Sequence, residues 1–205
     1  MVQPTTDYIV KKYRRRLIIP EGAQSKPQFA LCVIGLVGSG KTTTLKRLCE
    51  SIPMVRVSGD EIREVLRGEG LPYDDPNTVI STGHELTAQL KKAGYNIAHD
   101  NDFSNPVARE ALSANNQKYD VREIWIRMRP PEEWIIAKLR QRPPSGTFAT
   151  AEDAIAGYFA RKELQSRNSW VDHLPFIYEF DPSQSDFHLQ IQEGVQRIRE
   201  ALRKA

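Results

Sequence analysis

Cysteine is scarce in this sequence of 205 residues, which has only Cys32 and Cys49. Cys32 lies in an apolar run and Cys49 in a helical pattern, so neither is placed like half of a disulfide framework, and a reduced, intracellular setting is expected. Long hydrophobic runs are missing too, because the longest, Phe29–Val37, is about half of the ~20 residues that a membrane-spanning helix needs. The first residues also lack the charged-then-apolar pattern of a signal peptide. These absences predict a cytoplasmic globular protein.

Positive charge is concentrated near the N-terminus. The net charge is +3, but residues 1–28 carry six basic and two acidic side chains, so the remaining 177 residues have a net charge of −1. We expect residues 1–28 to form a basic N-terminal arm and residues 29–205 to form one domain. Such a basic run can bind nucleic-acid phosphates, although it is more often a solvated arm or a helix that packs on its own domain. The clustered cations are Lys11, Lys12, Arg14, Arg15 and Arg16.

From Phe29 onwards, apolar strand-like segments alternate with helical ones, without an internal repeat. The predicted strands are 29–34, 54–58, 95–99, 121–128 and 176–180. The predicted helices are 42–51, 60–67, 77–93, 106–118, 131–139, 151–165 and 186–202. This alternation is typical of right-handed βαβ units and predicts an α/β fold, with a parallel sheet covered by helices on both faces.

A glycine-rich motif directly follows the first predicted strand and precedes the first predicted helix. Residues 35–42 match G-x-x-x-x-G-K-[ST] at every fixed position. Its glycines let backbone N–H groups surround a phosphate, its lysine reaches the β- and γ-phosphates, and its hydroxyl holds Mg²⁺. The motif therefore predicts binding of ATP with Mg²⁺. The candidate residues are Gly35, Gly38, Ser39, Gly40, Lys41, Thr42 and Thr43.

Other classes of P-loop protein lack support in the sequence. The Asn-Lys-x-Asp motif of Ras-like GTPases and the Leu-Ser-Gly-Gly-Gln motif of ABC ATPases are both absent. The chain is also short for an AAA+ motor with a helical lid domain. A small kinase-like NTPase is the class that remains.

Asp60 and Arg63 follow the second predicted strand. Ligands of open α/β sheets bind at the carboxyl ends of the strands, and residues three apart share a helix face. A carboxylate there can accept the proton of a substrate hydroxyl, and a guanidinium can bind an anionic group. The alternative for Asp60 is a helix-capping role. His84 is a further candidate for lining the acceptor pocket.

An acidic residue at the end of the third predicted strand is expected to order Mg²⁺. Asp100 is favoured by the strand register, and Asp102 is the alternative. Asp181, after the last predicted strand, is a third and less favoured candidate.

A basic cluster, Lys138, Arg140 and Arg142, leads into a Pro-Pro-Ser-Gly loop. Phosphoryl transfer needs cations that approach the γ-phosphate as the site closes, and a basic helix end before a flexible loop suits that role. A solvated helix C-terminus is the alternative for each single residue. The pattern predicts a lid at about 138–150.

These elements resemble the AAA-type P-loop kinase family, which includes polynucleotide 5′-hydroxyl kinase, zeta toxins and gluconate-kinase-like enzymes. The resemblance runs from about Phe29 to Asp181. It depends on Gly-x-x-Gly-Ser-Gly-Lys-Thr-Thr at 35–43, Val-Ser-Gly-Asp-Glu-Ile-Arg at 57–63, Asp100 with Asn105-Pro106 and Arg109, and Pro131-Glu before the cluster at 138–142.

The resemblance implies a five-stranded parallel core with the P-loop strand in the middle. It also implies that Asp60 is the base toward the acceptor hydroxyl and that Arg63 contacts the acceptor. Lys138, Arg140 or Arg142 would supply the lid cations. Two departures concern the acceptor and the lid: Phe103 stands where the family often has Asn, and Lys138 and Arg142 stand where it usually has two arginines.

The leading hypothesis is therefore an ATP- and Mg²⁺-dependent kinase. It would transfer the γ-phosphoryl group to a hydroxyl of a small molecule or of a nucleic-acid 5′ end. The alternative is a nucleotide-binding regulatory or interaction module that hydrolyses ATP slowly.

Overall fold

The computed structural model describes residues 6–103, 106–143, 147–167 and 169–204. The helices are α1 (Thr6–Arg14), α2 (Lys41–Ser51), α3 (Gly59–Gly68), α4 (Pro76–Lys92), α5 (Pro106–Lys118), α6 (Glu132–Arg140), α7 (Ala151–Ser166) and α8 (Phe187–Arg203), with a short 3₁₀ helix at Ser169–His173. The strands are β1 (Phe29–Ile34), β2 (Val55–Ser58), β3 (Ile97–Asp100), β4 (Arg122–Met128) and β5 (Phe176–Phe180). In the part of the chain that the structure describes, no helix is both long and apolar enough to cross a membrane.

The five strands form one sheet in the order β2-β3-β1-β4-β5, and every pair is parallel. All six residues of β1 are buried, as a central strand covered on both faces requires. Leu31 and Val33 pack with α2 and α8, whereas Ala30 and Cys32 pack in a second cluster with Leu112 of α5. The predicted fold is thereby confirmed: helices cover both faces of a five-stranded parallel sheet, and the P-loop strand is in the middle.

The third strand begins two residues later than predicted. Tyr95 instead forms an isolated antiparallel bridge with Gln24. The Asn96 side chain turns back to the N-terminal segment, where its Oδ1 accepts hydrogen bonds from Ser25 Oγ at 2.9 Å and from Phe29 N at 3.1 Å. These contacts tie the segment before β1 to the segment before β3.

Helix α1 lies within the predicted arm and matches one of the alternatives stated for its basic run, a helix that packs on its own domain. Its Ile9, Val10 and Tyr13 are at most 2% exposed and join one apolar cluster with residues of α3 and α4, such as Leu66 and Leu90. The helix therefore packs on the domain that follows it. The division of the chain at residue 28 stays a prediction.

Lys91 of α4 is a cation buried beside the sheet, only 2% exposed. Its Nζ donates a hydrogen bond to Asn115 Oδ1 at 2.6 Å. Burial lowers the pKa of Lys91 from its ordinary 10.5 to about 8, although the Cys32 and Glu123 side chains oppose the shift. The unfolded chain therefore binds more protons than the folded one between these two pH values, so the free energy of unfolding rises with pH across that interval.

We expect Lys91→Met to change the free energy of unfolding more favourably at pH 7 than at pH 10.5, because the cost of the buried charge is fully present only below pH 8. The free energy of unfolding of the variant minus that of the wild type, here called the gap, should fall by up to about 3 kcal/mol as the pH rises through this interval. Urea unfolding at several pH values measures it. Lys92→Met, at an exposed neighbour, is the control and should show a constant gap. A constant gap for Lys91→Met as well would contradict the assignment.

Candidate active site

The carboxyl ends of β1, β2 and β3 open into one cleft of about 920 Å³. Most of the predicted site residues line it, and they come from the P-loop, α3, β3 and the end of α6. Those that line it are Gly38, Ser39, Gly40, Lys41, Thr42, Thr43, Asp60, Arg63, Asp100, Lys138 and Arg142. Gly35 and Arg140 do not line it.

The loop between β1 and α2 has the backbone that an anion-binding turn requires. Gly38 and Gly40 have φ angles of +79° and +95°, a region that L side chains rarely adopt. Gly40 is the N-cap residue of α2, so the N–H groups of the first helical turn start at the cleft. Ser39 is 1% exposed, and its Oγ has no hydrogen-bond partner. A phosphate bound in the loop would satisfy these donors.

Gly35 has a packing role at the start of the loop. A Cβ on Gly35 would lie 2.6 Å from Ser39 Oγ and 2.8 Å from Met128 Cβ, so only glycine lets the loop lie this close to β4. Its carbonyl oxygen accepts a hydrogen bond from Lys41 Nζ at 2.7 Å, and that of Leu36 accepts one at 3.0 Å. Gly35 thus supports the loop by close packing and holds its lysine through a carbonyl group, without lining the cleft.

The Lys41 ammonium is held by the loop and feels the charges of the acidic residues at the end of β3. Burial lowers the pKa of Lys41, and the charges of Asp102 and Asp100 oppose that shift. A phosphate group would replace the loop carbonyls as a charged partner for the ammonium.

The structure brings Thr42 and Asp100 together. Thr42 Oγ1 donates a hydrogen bond to Asp100 Oδ1 at 3.2 Å, while Arg56 Nη1 lies 2.6 Å from Asp100 Oδ2. The Asp100 side chain is only 4% exposed. Burial raises the pKa of Asp100, and the Arg56 charge and the Thr42 hydrogen bond oppose the shift.

The other two acidic candidates have different partners. Asp102 Oδ2 lies 2.7 Å from Arg161 Nε. Asp181 Oδ1 accepts hydrogen bonds from Ser183, and Asp181 does not line the cleft. Of the three, Asp100 is thus the one joined to the P-loop threonine.

The residues present fit Mg²⁺ bound together with a nucleotide. A threonine hydroxyl and a carboxylate are hard oxygen ligands, and Mg²⁺ commonly takes one or two carboxylates plus phosphates and water. Among the described residues, no group of three or more His, Cys, Asp or Glu could hold a metal without such help. Thr42 and Asp100 are the residues that would hold it.

Asp60 lies in the first turn of α3 and does not cap it. The N-cap position belongs to Ser58, and the first helical N–H, of Gly59, donates to Asn101 Oδ1 at 3.0 Å. Asp60 Oδ1 instead accepts hydrogen bonds from Arg63 Nη1 at 3.2 Å and from Thr147 Oγ1 at 2.7 Å. The carboxylate is therefore available to groups within the cleft.

The basic cluster divides between the cleft and the outer surface. Lys138 and Arg142 line the cleft, whereas Arg140, the last residue of α6, is exposed and does not line it. The reason is the helical period, which separates Arg140 from Lys138 by about 200° around the axis. Residues 144–146 of the predicted lid, like Asn105 of the family motif, lie outside the described residues.

Several cleft residues were missed by the sequence analysis. Arg56 interrupts an apolar strand, and this local signal could have identified it. Arg161 of α7 gave no such signal; its guanidinium carbon lies 5.8 Å from the ring centre of Phe148, which also lines the cleft. His99 is 3% exposed and its Nε2 has no hydrogen-bond partner, while burial holds its pKa well below 6.5. A neutral imidazole therefore lines the cleft beside the predicted His84.

We expect Gly38→Ala to weaken binding of a fluorescent ATP analogue by about tenfold or more, since an added methyl group strains the loop by about 1–2 kcal/mol. The new Cβ would have to keep φ at +79° and would lie 2.9 Å from Leu139 Cδ2. Gly68→Ala is the control, because a Cβ there meets no atom within 4 Å. Unchanged affinity in Gly38→Ala would contradict the assigned phosphate loop.

Solved structures with the same fold cover most of this chain. A shikimate kinase from Bacteroides thetaiotaomicron is 15% identical, with a TM-score of 0.56 and coverage of 85% of this chain and 98% of that one. A gluconokinase from Sinorhizobium meliloti 1021 is 16% identical, with a TM-score of 0.56 and coverage of 85% and 95%. The Mycobacterium tuberculosis APS kinase in complex with AMPPNP and APS is 14% identical, with a TM-score of 0.53 and coverage of 84% and 98%.

At these identities the likeness establishes the shared P-loop kinase fold. Among curated proteins, none matches the sequence. The family profile described as AAA domain matches residues 31–163, which include the P-loop, Asp60, Asp100 and the basic cluster. Because this match covers more than half of the chain, the protein belongs to the AAA domain family, as its resemblance to the AAA-type P-loop kinases predicted.

Proposed function

We propose that this protein is a kinase that transfers the γ-phosphoryl group of ATP, in the presence of Mg²⁺, to a hydroxyl group of a small molecule. The observation that carries the proposal is the hydrogen bond from Thr147 Oγ1 to Asp60 Oδ1, 2.7 Å long, inside the cleft of the P-loop. A hydroxyl group beside a carboxylate is the pair that the reaction requires of acceptor and base. An acceptor hydroxyl that displaced Thr147 would have the same partner.

The P-loop side of the cleft binds and orients the nucleotide in this proposal. The loop N–H groups and Lys41 hold its phosphates, while Thr42 and Asp100 hold the metal. When bound, ATP with Mg²⁺ supplies the phosphoryl group and neutralises part of its charge. Lys138 and Arg142 add positive charge from the lid side.

Asp60 acts as the general base toward the acceptor. Its Oδ1 receives the hydroxyl proton, and Arg63, 3.2 Å from the same oxygen, fixes the carboxylate and can bind an anionic group of the acceptor. Asp102 holds Arg161 in the same cleft through their 2.7 Å ion pair. Arg161 is thus a second cation of the cleft in addition to Arg63, and the positions of the two limit where an anionic group of the acceptor can lie.

The acceptor side of the cleft is lined by apolar and imidazole groups. Val79, Phe103 and Leu112 line it together with His84 and His99. They offer apolar contact area and two imidazole rings that can form hydrogen bonds with an acceptor. A small-molecule acceptor is supported by the solved structures that share the fold, since two of them are named shikimate kinase and APS kinase.

A nucleic-acid acceptor has less support. Lys11 Nζ lies 2.7 Å from Asp7 Oδ2, and Lys12 Nζ lies 3.2 Å from Glu69 Oε1, so these cations already have acidic partners. Nucleic-acid binding through residues 11–16 stays a prediction.

The proposal is tested by transfer of label from γ-labelled ATP with Mg²⁺ to a panel of sugars, nucleosides, hydroxy acids, amino-sugar nucleotides and 5′-hydroxyl oligonucleotides. We expect label on one small-molecule class and a loss of about 10²- to 10⁴-fold in kcat for Asp60→Asn, as removal of a general base predicts. Lys41→Ala should abolish transfer by weakening nucleotide binding.

Asp74→Asn is the matched control, because Asp74 is exposed on the loop before α4, outside the cleft, and transfer should be unchanged. Wild-type transfer rates in Asp60→Asn would contradict the base assignment. Slow phosphate release to water without labelled acceptor, lost in Lys41→Ala and kept in Asp60→Asn, would favour the regulatory module instead.

A further inference from the structure

Tyr13 is the most deeply buried polar side chain of α1, a helix that precedes the family match at residues 31–163. Its exposure is 0%, and its ring packs in the apolar cluster between α1, α3 and α4. The hydroxyl is directed at the point where β2 ends and α3 begins. Tyr13 Oη accepts a hydrogen bond from Ser58 N at 3.0 Å and donates one to Glu61 Oε2 at 3.0 Å, a shorter contact than the 3.4 Å to its other acceptor, Ser58 O.

From Glu61, a continuous set of contacts leads to the P-loop. The other carboxylate oxygen of Glu61 pairs with Arg56 Nη2. Arg56 Nη1 lies 2.6 Å from Asp100 Oδ2, and Asp100 Oδ1 accepts the hydrogen bond of Thr42. Four contacts thus join Tyr13 to the two side chains that would hold Mg²⁺.

We propose that Tyr13 is a positioning residue for the Mg²⁺ site and acts on Asp100 through Glu61 and Arg56. This inference depends on the proposed function, because it assumes that Thr42 and Asp100 bind the metal. It gives α1 a role in the active site that is separate from any binding of nucleic acid by its charged face.

Arg56 lies between two carboxylates, and this placement explains how a change at Tyr13 would alter Asp100. Its guanidinium fixes the Asp100 carboxylate so that Oδ1 faces Thr42, but it also competes with a metal ion for the negative charge. Glu61 shares the guanidinium, and Tyr13 fixes Glu61, whose side chain is 37% exposed and would otherwise turn toward solvent. Groups that orient a metal ligand in this way typically change metal affinity by about 10- to 100-fold when removed.

Two features favour a hydrogen-bonding role for Tyr13 beyond packing. Burial raises the pKa of Tyr13, so its hydroxyl stays protonated and can donate to Glu61. The hydroxyl also holds the N–H of Ser58, and Ser58 pairs with Asp100 in the register of β2 and β3. A phenylalanine at position 13 would keep the packing and lose both contacts.

The test compares the affinity of a fluorescent ADP analogue with excess Mg²⁺ and with EDTA, a binding measurement that needs no acceptor. For Tyr13→Phe we expect the Mg²⁺-dependent gain in affinity to fall by about fivefold or more, with affinity in EDTA unchanged. Tyr8→Phe is the matched control on the same helix: Tyr8 Oη donates to Glu69 Oε2 at 2.7 Å, a contact that does not lead to Asp100. It should leave both affinities unchanged.

Loss of affinity in EDTA as well as in Mg²⁺ would overturn the inference, because a general structural defect affects both. A full Mg²⁺-dependent gain in Tyr13→Phe would overturn it too, and the nucleotide site of the proposed function would then stand. If the wild type bound no nucleotide, the proposed function itself would fail, and the inference with it.

The route through Glu61 is tested by the double variant. The effect of Tyr13→Phe should disappear in the background of Glu61→Ala, since residues that act in one network are not additive. Additive losses in the Mg²⁺-dependent gain would overturn the route and assign the effect to the backbone contact at Ser58.

Discussion

The burial of β1 on both faces of a parallel sheet is the constraint on which the rest of the structure depends. A central strand must be apolar throughout, and Phe29–Ile34 is. Because all neighbouring strands run parallel to it, the chain leaves β1, β2 and β3 at the same edge, where each strand is followed by a turn into a helix or loop. The phosphate loop, Asp60 and Asp100 therefore meet at one cleft although they are far apart in sequence.

The same logic explains which features were predictable from the sequence. The strands, most helices and the P-loop depend on local patterns, and Asp60 and Asp100 were found because each follows a strand. Helix α1 was only one of the alternatives for the basic run, because Ile9, Val10 and Tyr13 form too short an apolar face to decide for a helix without the surfaces of α3 and α4. Arg161 escaped prediction for a related reason, since its place in the cleft depends on how α7 packs against α6.

Three arginines that line the cleft have a fixed acidic partner, which is a second organising feature. Arg56 is held by Asp100 and Glu61, Arg63 by Asp60, and Arg161 by Asp102. Such pairs pre-organise the guanidinium groups, so less conformational entropy is lost when an anionic ligand binds. Lys41 is held differently, by two neutral carbonyl oxygens of its own loop. A bound phosphate would thus give Lys41 its first hydrogen-bonded anion, whereas each of these arginines would have to share one.

The two sides of the cleft come from different parts of the fold, and this limits what the family relationship can tell about the acceptor. The nucleotide side is built by the sheet edge and the start of α2, whose geometry the parallel sheet imposes. The acceptor side is built by helix faces, with Val79 and His84 on α4 and Leu112 on α5. Substitutions on a helix face leave the sheet unchanged, so proteins with this fold can keep the reaction and change the acceptor. In the proposed kinase, the acceptor must therefore be inferred from this chain's own residues, above all the neutral His99 and the paired Arg63 and Arg161.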